Sequence, residues 1–247
     1  MEINKEQFLA ELDEIGFTVQ RSAFDPELIA ELDQWAASLP PERGHGMDKK
    51  WYGWKQVSEM ENPAADVDWA YYWTEQINHP TIDKLKQTLN QYADAAFGVD
   101  NWEWHVQDFI VLHPGMNFMR PHIDTPYRFP EFRYNEELVG LQFMVMMCDF
   151  HENNGATGYV PGSHKYLYDP ESVKLDSAWD TFFADNYKQH TAPAGSFVCW
   201  HPRLIHSTMP NRSNEVRRAL LLHAAEKKTA RRLRVIDPQL NAKLRTN

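Results

Sequence analysis

The sequence predicts a mainly β fold with flanking helices, in which N-terminal α-helices pack on a β-sandwich or barrel. From Trp102 onward, short apolar runs alternate with turn sequences rich in Gly, Pro and Asn, a pattern typical of sandwiches and barrels. The preceding residues place apolar side chains at helical spacing instead. We expect one domain over 1–247, with a helical flank and lid (1–100), a β core (101–226) and a C-terminal tail (227–247).

Three helices are predicted in the N-terminal flank. The first covers 4–15, and a short strand follows it. The second begins at Asp25-Pro26, because Asp is a favoured N-cap and Pro fits the first helical position. The third covers 80–97, whose apolar residues recur on one face. Residues 41–75, between the second and third helices, are rich in Trp and Tyr without a sustained period. This fits either an irregular lid across the mouth of the core or aromatic side chains that pack a helical layer onto a sheet.

The β core is predicted from eight apolar runs separated by turns. Helices precede this region, and inside it the only helical segment that we expect is a turn near 170–187. The predicted strands comprise residues 103–112, 119–124, 138–149, 157–160, 189–192, 196–200, 203–208 and 216–225.

Composition excludes several classes of function. The formal charge of -10 argues against a nucleic-acid partner, which requires a basic face. The longest apolar run, 138–148, is interrupted by Gln142 and is too short to span a bilayer. The N-terminal residues lack the basic start and apolar run of a signal peptide. We therefore expect a cytoplasmic protein that acts on a small molecule, with no nucleic-acid or membrane partner.

A candidate metal site begins at His122-Ile123-Asp124. Side chains at i and i+2 of a strand share a face, so His122 and Asp124 would project into the same space. With a second histidine, such as His206, they would form two His and one carboxylate with open positions, the set of non-heme Fe(II) oxygenases. The alternatives are a strand His hydrogen-bonded to Asp124, a core histidine at 206, and His201 as a competing ligand.

Two consecutive arginines begin the last predicted strand. Arg217 or Arg218 could bind a carboxylate of a metal-chelating cosubstrate through two parallel hydrogen bonds. Successive strand residues face opposite ways, so one of the two is expected to enter the pocket. Residues 219–222 are apolar on both faces, and the pattern alone does not choose between the arginines.

Several motifs occur in one order along most of the chain. These motifs are Gly16-Phe17, His122-Ile123-Asp124, Asn154-Gly155 leading to Val160-Pro161-Gly162-Ser163-His164, Trp200-His201-Pro202 leading to His206, and Pro210-Asn211-Arg212-Ser213 leading to Arg217-Arg218-Ala219-Leu220. Together they resemble the phytanoyl-CoA dioxygenase-like family of Fe(II)/2-oxoglutarate-dependent oxygenases, which includes ectoine hydroxylase.

The resemblance implies a double-stranded β-helix core, a cupin-like jelly roll. It implies Fe(II) bound by the three residues His122, Asp124 and His206. The spacing in the family selects Arg217 over Arg218 for the far carboxylate of 2-oxoglutarate. It also suggests cosubstrate contacts from Thr208 and Gln107.

The reaction that the resemblance implies consumes 2-oxoglutarate and O2, releases succinate and CO2, and hydroxylates an unactivated carbon of a small metabolite. Desaturation, epimerisation and ring closure stay open, as does a non-catalytic jelly roll that binds a ligand. Tyr127 and Arg128 follow the metal loop and are candidate substrate contacts. Arg128 could meet an anionic group of the substrate, or it could be a solvated loop residue.

Overall fold

A jelly roll of two antiparallel sheets forms the core, and helices cover one of its faces. One sheet has six strands and the other has three. This architecture confirms the predicted mainly β fold with flanking helices. The computed structural model describes residues 3–39, 70–72, 78–115, 121–127, 129–166 and 177–236.

The helices and strands follow the predicted order. The helices are α1 (Lys5–Glu14), α2 (Pro26–Ser38), α3 (Pro80–Phe97), α4 (Ser177–Asn186) and α5 (Lys227–Ile236). The strands are β1 (Phe17–Gln20), β2 (Ala70–Tyr72), β3 (Trp102–Leu112), β4 (Gly140–Met146), β5 (Gly158–Tyr159), β6 (Lys188–Gln189), β7 (Phe197–Trp200), β8 (His206–Ser207) and β9 (Arg217–Glu226). The six-stranded sheet has the order β1-β7-β4-β9-β3-β2, and the three-stranded sheet has the order β6-β5-β8.

The large sheet separates two hydrophobic layers. On its outer face, side chains such as Phe109, Phe143 and Leu220 pack against α1, α2 and α3. On its inner face, side chains such as Met144 and Ala219 pack toward the small sheet. The two faces alternate along each strand because the side-chain period of a strand is two. Strand register therefore determines which side chains enter the space between the sheets.

Helix α3 shows why the helical layer forms where the sequence predicts it. His79 caps its N-terminus, accepting a hydrogen bond from the Thr81 main chain, and Gly98 ends it with φ +82°. Leu85 and Leu89 are fully buried, four residues apart on one helix face. Burying such side chains contributes about 1.5–3 kcal/mol each, which fixes the helix on the sheet.

Three regions differ from the sequence prediction. The expected C-terminal tail begins with helix α5, where Ala230 and Leu233 are buried and Arg234 forms an ion pair with Glu103. The expected turn near 170–187 contains helix α4. The aromatic stretch 41–75 lies outside the described residues except at 70–72, which pair with β3.

Two further predictions are only partly covered by the described residues. Of the predicted strand 119–124, residues 119 and 120 lie outside them, and His122 forms a single bridge to His206. Within the described ranges, no helix has both the length and the apolar content needed to cross a membrane.

His105 predicts a pH dependence of stability. Burial, with smaller contributions from the charges of His223 and Arg234, lowers the pKa of this buried ring to about 3. The unfolded chain, with a histidine pKa near 6.5, binds this proton at higher pH than the folded chain. The stabilisation is therefore complete above about pH 6.5 and is lost progressively as the pH falls toward 3.

We expect the unfolding free energy, measured by urea denaturation between pH 7 and pH 4, to fall less steeply in His105→Gln than in the unsubstituted protein. The difference between the two slopes of unfolding free energy against pH should approach the value for one bound proton. This holds whatever the absolute stability of the variant. Identical slopes in His105→Gln and the unsubstituted protein would contradict the assignment.

Candidate metal centre

His122 and His206 are joined through their main chains. The His122 N–H donates to the His206 carbonyl (3.0 Å), and the His206 N–H donates to the His122 carbonyl (3.1 Å). Directly opposed residues in such an antiparallel pair project to the same face. The two imidazole rings accordingly lie 4.3 Å apart between centroids.

Asp124 completes the cluster from the same segment as His122. Its main-chain N–H donates to the Pro202 carbonyl at 2.7 Å. The carboxylate lies 3.7 Å from His122 Nε2 and 3.3 Å from His206 Nε2. One ligand atom from each of the three residues falls within 4.8 Å of the other two. His122 and Asp124, two residues apart, therefore lie on the same face, as the sequence predicts.

A second layer of contacts orients the cluster. The Trp200 indole N–H donates to Asp124 Oδ2 at 3.2 Å, and His206 Nδ1 lies 3.0 Å from the Leu204 carbonyl. A carbonyl can only accept, so Nδ1 carries the proton and the lone pair of His206 Nε2 faces Asp124. The Tyr159 ring stacks on His206 at 5.8 Å. Such partners fix ligand tautomer and orientation in metal sites.

The two arginines at the start of β9 face opposite sides of the sheet. Arg218 points outward, and its Nε and Nη2 lie 2.5 and 2.7 Å from the Asp33 carboxylate of α2. Arg217 points inward, is 0% exposed, places its guanidinium 4.3 Å from the centre of the Phe150 ring and has Nη2 3.4 Å from Met144 Sδ. Of the pair, only Arg217 enters the space between the sheets.

Gln107 lies on the other side of the large sheet from the cluster. It pairs with Leu222, and both Leu222 and Phe109 pack against the helices. Residues two apart share a face, so Gln107 is directed toward the helical layer. Asp108 takes the inward position opposite Leu221. The register therefore does not support the predicted cosubstrate contact of Gln107.

The remaining predicted contacts divide into three cases. Thr208, two residues after His206, is buried. Arg128 lies outside the described residues. Tyr127 is fully buried; its hydroxyl donates to the Glu137 carbonyl and accepts from the Val139 N–H at 3.1 Å. That placement makes Tyr127 a support of the loop and does not favour a substrate contact.

His201, the competing ligand candidate, has a structural position. Its Nδ1 accepts the Arg203 main-chain N–H at 3.0 Å, and its ring stacks on Tyr127 at 5.0 Å. Burial, followed by the charges of His164 and Arg203, holds its pKa well below the usual range. His201 therefore supports the loop that carries the Pro202 carbonyl and stays out of the metal cluster.

The aromatic neighbours of the cluster remain neutral near pH 7. Burial lowers the pKa of His190 to about 4. Burial also raises the pKa of Tyr159; the positive charge of Arg217 opposes the rise and the negative charge of Asp124 adds to it. Sequence reasoning missed Tyr159 and Trp200, whose roles depend on pairings between distant strands. The only local signal was their place beside the Val160-Pro161 and His201-Pro202 motifs.

Comparison with known proteins agrees with this geometry. A curated protein, dioxygenase cdmD from Talaromyces verruculosus, is 28% identical over 215 residues, covering 85% of this chain. The chain spans 63% of that protein's length.

Solved structures of the same fold include two enzymes of known name. The non-heme alpha ketoglutarate dependent epimerase SnoN from nogalamycin biosynthesis matches with a TM-score of 0.66 at 18% identity, over 90% of this chain and 80% of SnoN. SnoN has also been solved with Fe3+, alpha ketoglutarate and nogalamycin RO. EctD from S. alaskensis, in its apo form, matches with a TM-score of 0.67 at 16% identity, over 92% of this chain and 79% of EctD.

The family comparison is decisive because it covers most of the chain. Residues 12–219 match the model of the phytanoyl-CoA dioxygenase family, PhyH. That range includes strands β1 to β8, the start of β9, the His122/Asp124/His206 cluster and Arg217. The chain belongs to the phytanoyl-CoA dioxygenase family.

Proposed function

We propose that this protein is an Fe(II)- and 2-oxoglutarate-dependent dioxygenase that hydroxylates an unactivated carbon of a small metabolite and releases succinate and CO2. The observation that carries the proposal is the convergence of one donor atom each from His122, Asp124 and His206 within 4.8 Å. Two imidazoles and one carboxylate, with positions left open, are the donor set of non-heme Fe(II) oxygenases.

The residues present fit a divalent metal. His206 offers the lone pair of Nε2, because its Nδ1 proton is held by the Leu204 carbonyl, and Trp200 steadies the Asp124 carboxylate. When bound, Fe(II) with 2-oxoglutarate supplies O2 activation and the oxidising power for the C–H bond. The protein's own residues hold the ligands in place and orient the reactants.

Arg217 is assigned to the far carboxylate of 2-oxoglutarate. It is the arginine directed between the sheets, whereas Arg218 is engaged by Asp33. A buried guanidinium offers a planar fork of donors to a carboxylate. Thr208, which follows His206 by two residues, is assigned a hydroxyl contact to the same carboxylate.

Hydroxylation is the leading outcome, and other outcomes of the same chemistry form the second candidate. SnoN, which shares this fold, is named as an epimerase. Desaturation, epimerisation and ring closure use the same ligands and differ in where the substrate carbon lies. Halogenation is disfavoured, because Asp124 would occupy the coordination position that a halide needs.

The decisive assay is succinate release by purified protein with Fe(II), ascorbate and 2-oxoglutarate. We expect slow release without substrate and faster release with members of a metabolite panel that includes carboxylates, since Arg128 follows the metal loop. Product mass separates hydroxylation, a gain of one oxygen, from desaturation or epimerisation. No 2-oxoglutarate binding and no turnover would favour a non-catalytic jelly roll.

The metal ligands predict a complete loss of activity in Asp124→Ala. Removing the carboxylate leaves only two imidazoles for the metal and removes the negative charge that offsets it. We expect no succinate release above background and weakened Mn(II) binding by calorimetry. A variant that binds metal and turns over normally would exclude Asp124 as a ligand.

Trp200→Phe tests the support of Asp124. Loss of the indole N–H is expected to weaken metal binding about 10- to 100-fold, as for other residues that orient metal ligands. Trp104→Phe is the matched control, because the Trp104 indole N–H donates to Asn90 on the helical side. Metal titrations of the two variants should differ; equal affinities would contradict the orienting role.

Arg217 and Arg218 predict opposite consequences on substitution. Arg217→Ala should raise the 2-oxoglutarate concentration needed for half-maximal succinate release by about 10-fold or more, since hydrogen bonds to charged groups contribute about 1.5–3 kcal/mol. Arg218→Ala should leave that requirement unchanged and lower the unfolding free energy by about 1 kcal/mol, typical of a partly exposed ion pair. Reversed results would move the cosubstrate role to Arg218.

A further inference from the structure

The side chain of Tyr159 lies beside the side chains of the metal cluster on the small sheet. Tyr159 pairs directly with His206 across β5 and β8, and His206 pairs with His122 on its other side. Opposed residues in antiparallel pairs share a face. Tyr159, His206 and His122 therefore stand side by side on the inner face of the small sheet.

The ring of Tyr159 is held from several sides. It stacks on His206 with an interplanar angle of 23°, meets Trp200 edge to face at 5.7 Å and lies 4.7 Å from the ring of His190. The residue is 0% exposed. Because packed rings lock the side-chain rotamer, the direction of the hydroxyl is fixed before any ligand binds.

In the described part of the chain, the Tyr159 hydroxyl meets no partner at full hydrogen-bonding geometry. The Thr157 side chain is a hydrogen-bonding neighbour that lowers the pKa of the phenol, as a donor to the phenol oxygen does. The phenol O–H itself is therefore left without an acceptor. Buried polar atoms are nearly always hydrogen-bonded in native proteins. A rigid, buried donor of this kind beside a cluster of metal ligands indicates that a ligand completes its bonding.

Two charges identify the ligand group that the hydroxyl meets. Arg217 Nη2 lies 3.4 Å from Met144 Sδ, and the hydroxyl of Thr157, two residues before Tyr159, lies 3.7 Å from the same sulfur. The charges of Arg217 and Asp124 both act on the Tyr159 hydroxyl, which therefore neighbours the guanidinium as well as the metal cluster. A dicarboxylate that spans from the metal to Arg217 passes this point with its far carboxylate, which only accepts hydrogen bonds.

We propose that Tyr159 is a cosubstrate-positioning residue whose hydroxyl donates a hydrogen bond to the far carboxylate of 2-oxoglutarate, alongside Arg217. The inference rests on the proposed function and adds a residue to its cosubstrate site. The phenol stays neutral and transfers no proton. Its effect is to select 2-oxo acids that carry a second carboxylate and to fix the orientation of the chelated end.

The test compares two ligands in two proteins by anaerobic calorimetry with Mn(II) bound. The ligands are 2-oxoglutarate and 2-oxobutyrate, which is the same 2-oxo acid without the far carboxylate. Tyr159→Phe should bind 2-oxoglutarate about 10- to 100-fold more weakly than the unsubstituted protein, as expected for a lost bond to a charged group. Its affinity for 2-oxobutyrate and for Mn(II) should be unchanged.

Tyr92→Phe is the matched control, because Tyr92 is also buried but packs against Phe8 on the helical side of the large sheet. It should bind both ligands normally. Circular dichroism checks that both variants are folded. If Tyr159→Phe proves unstable, Tyr159→His takes its place in the test. It restores a donor on a shorter ring and should keep part of the affinity for 2-oxoglutarate.

Each remaining outcome overturns a distinct statement. Unchanged 2-oxoglutarate affinity in Tyr159→Phe makes Tyr159 a packing residue. Equal weakening for both ligands places the loss at the chelated end and overturns the contact with the far carboxylate. If the unsubstituted protein binds metal but not 2-oxoglutarate, the proposed function fails, and this inference fails with it.

Discussion

The reciprocal main-chain hydrogen bonds between His122 and His206 are the constraint on which the site depends. Neither residue lies in a long strand: His122 forms a single bridge, and β8 contains two residues. Yet this pair brings together two parts of the chain that are distant in sequence and aims both rings into one space. Asp124, two residues further, is fixed by the Pro202 carbonyl. The donor geometry is therefore a property of main-chain register, and side-chain packing only refines it.

Alternation of side chains along β9 also gives two neighbouring residues of the six-stranded sheet different roles. Along β9, Arg218 faces the helices and is held by Asp33, while Arg217 faces inward over Phe150. One position of register thus separates a residue that fastens the helical layer from one that enters the site. Since a slip by one residue would exchange them, the long pairing of β9 with β3 and β4 supports function as much as stability.

The sequence predicts the elements well where the determinants are local. Helix α3 follows from apolar periodicity and Gly98, and the inward orientation of His122 and Asp124 follows from their spacing. The face of Gln107 was not predictable, because a register irregularity between Trp104 and Val106 shifts which residues face inward. Helix α5 was missed because its basic residues suggest a solvated tail. Its packing against the sheet, which the sequence does not reveal, buries Leu233.

Charge explains why the proposed ligands belong together. A divalent metal, one carboxylate from Asp124, the dicarboxylate cosubstrate and one guanidinium from Arg217 sum to zero. An uncompensated charge in a buried site costs several kcal/mol, so each of these four groups makes the other three easier to bury. The aromatic residues around them stay neutral, since burial depresses the pKa of His190 and raises that of Tyr159. The surroundings therefore add no charge of their own near neutral pH, and the phenol of Tyr159 can donate to a carboxylate without disturbing the balance.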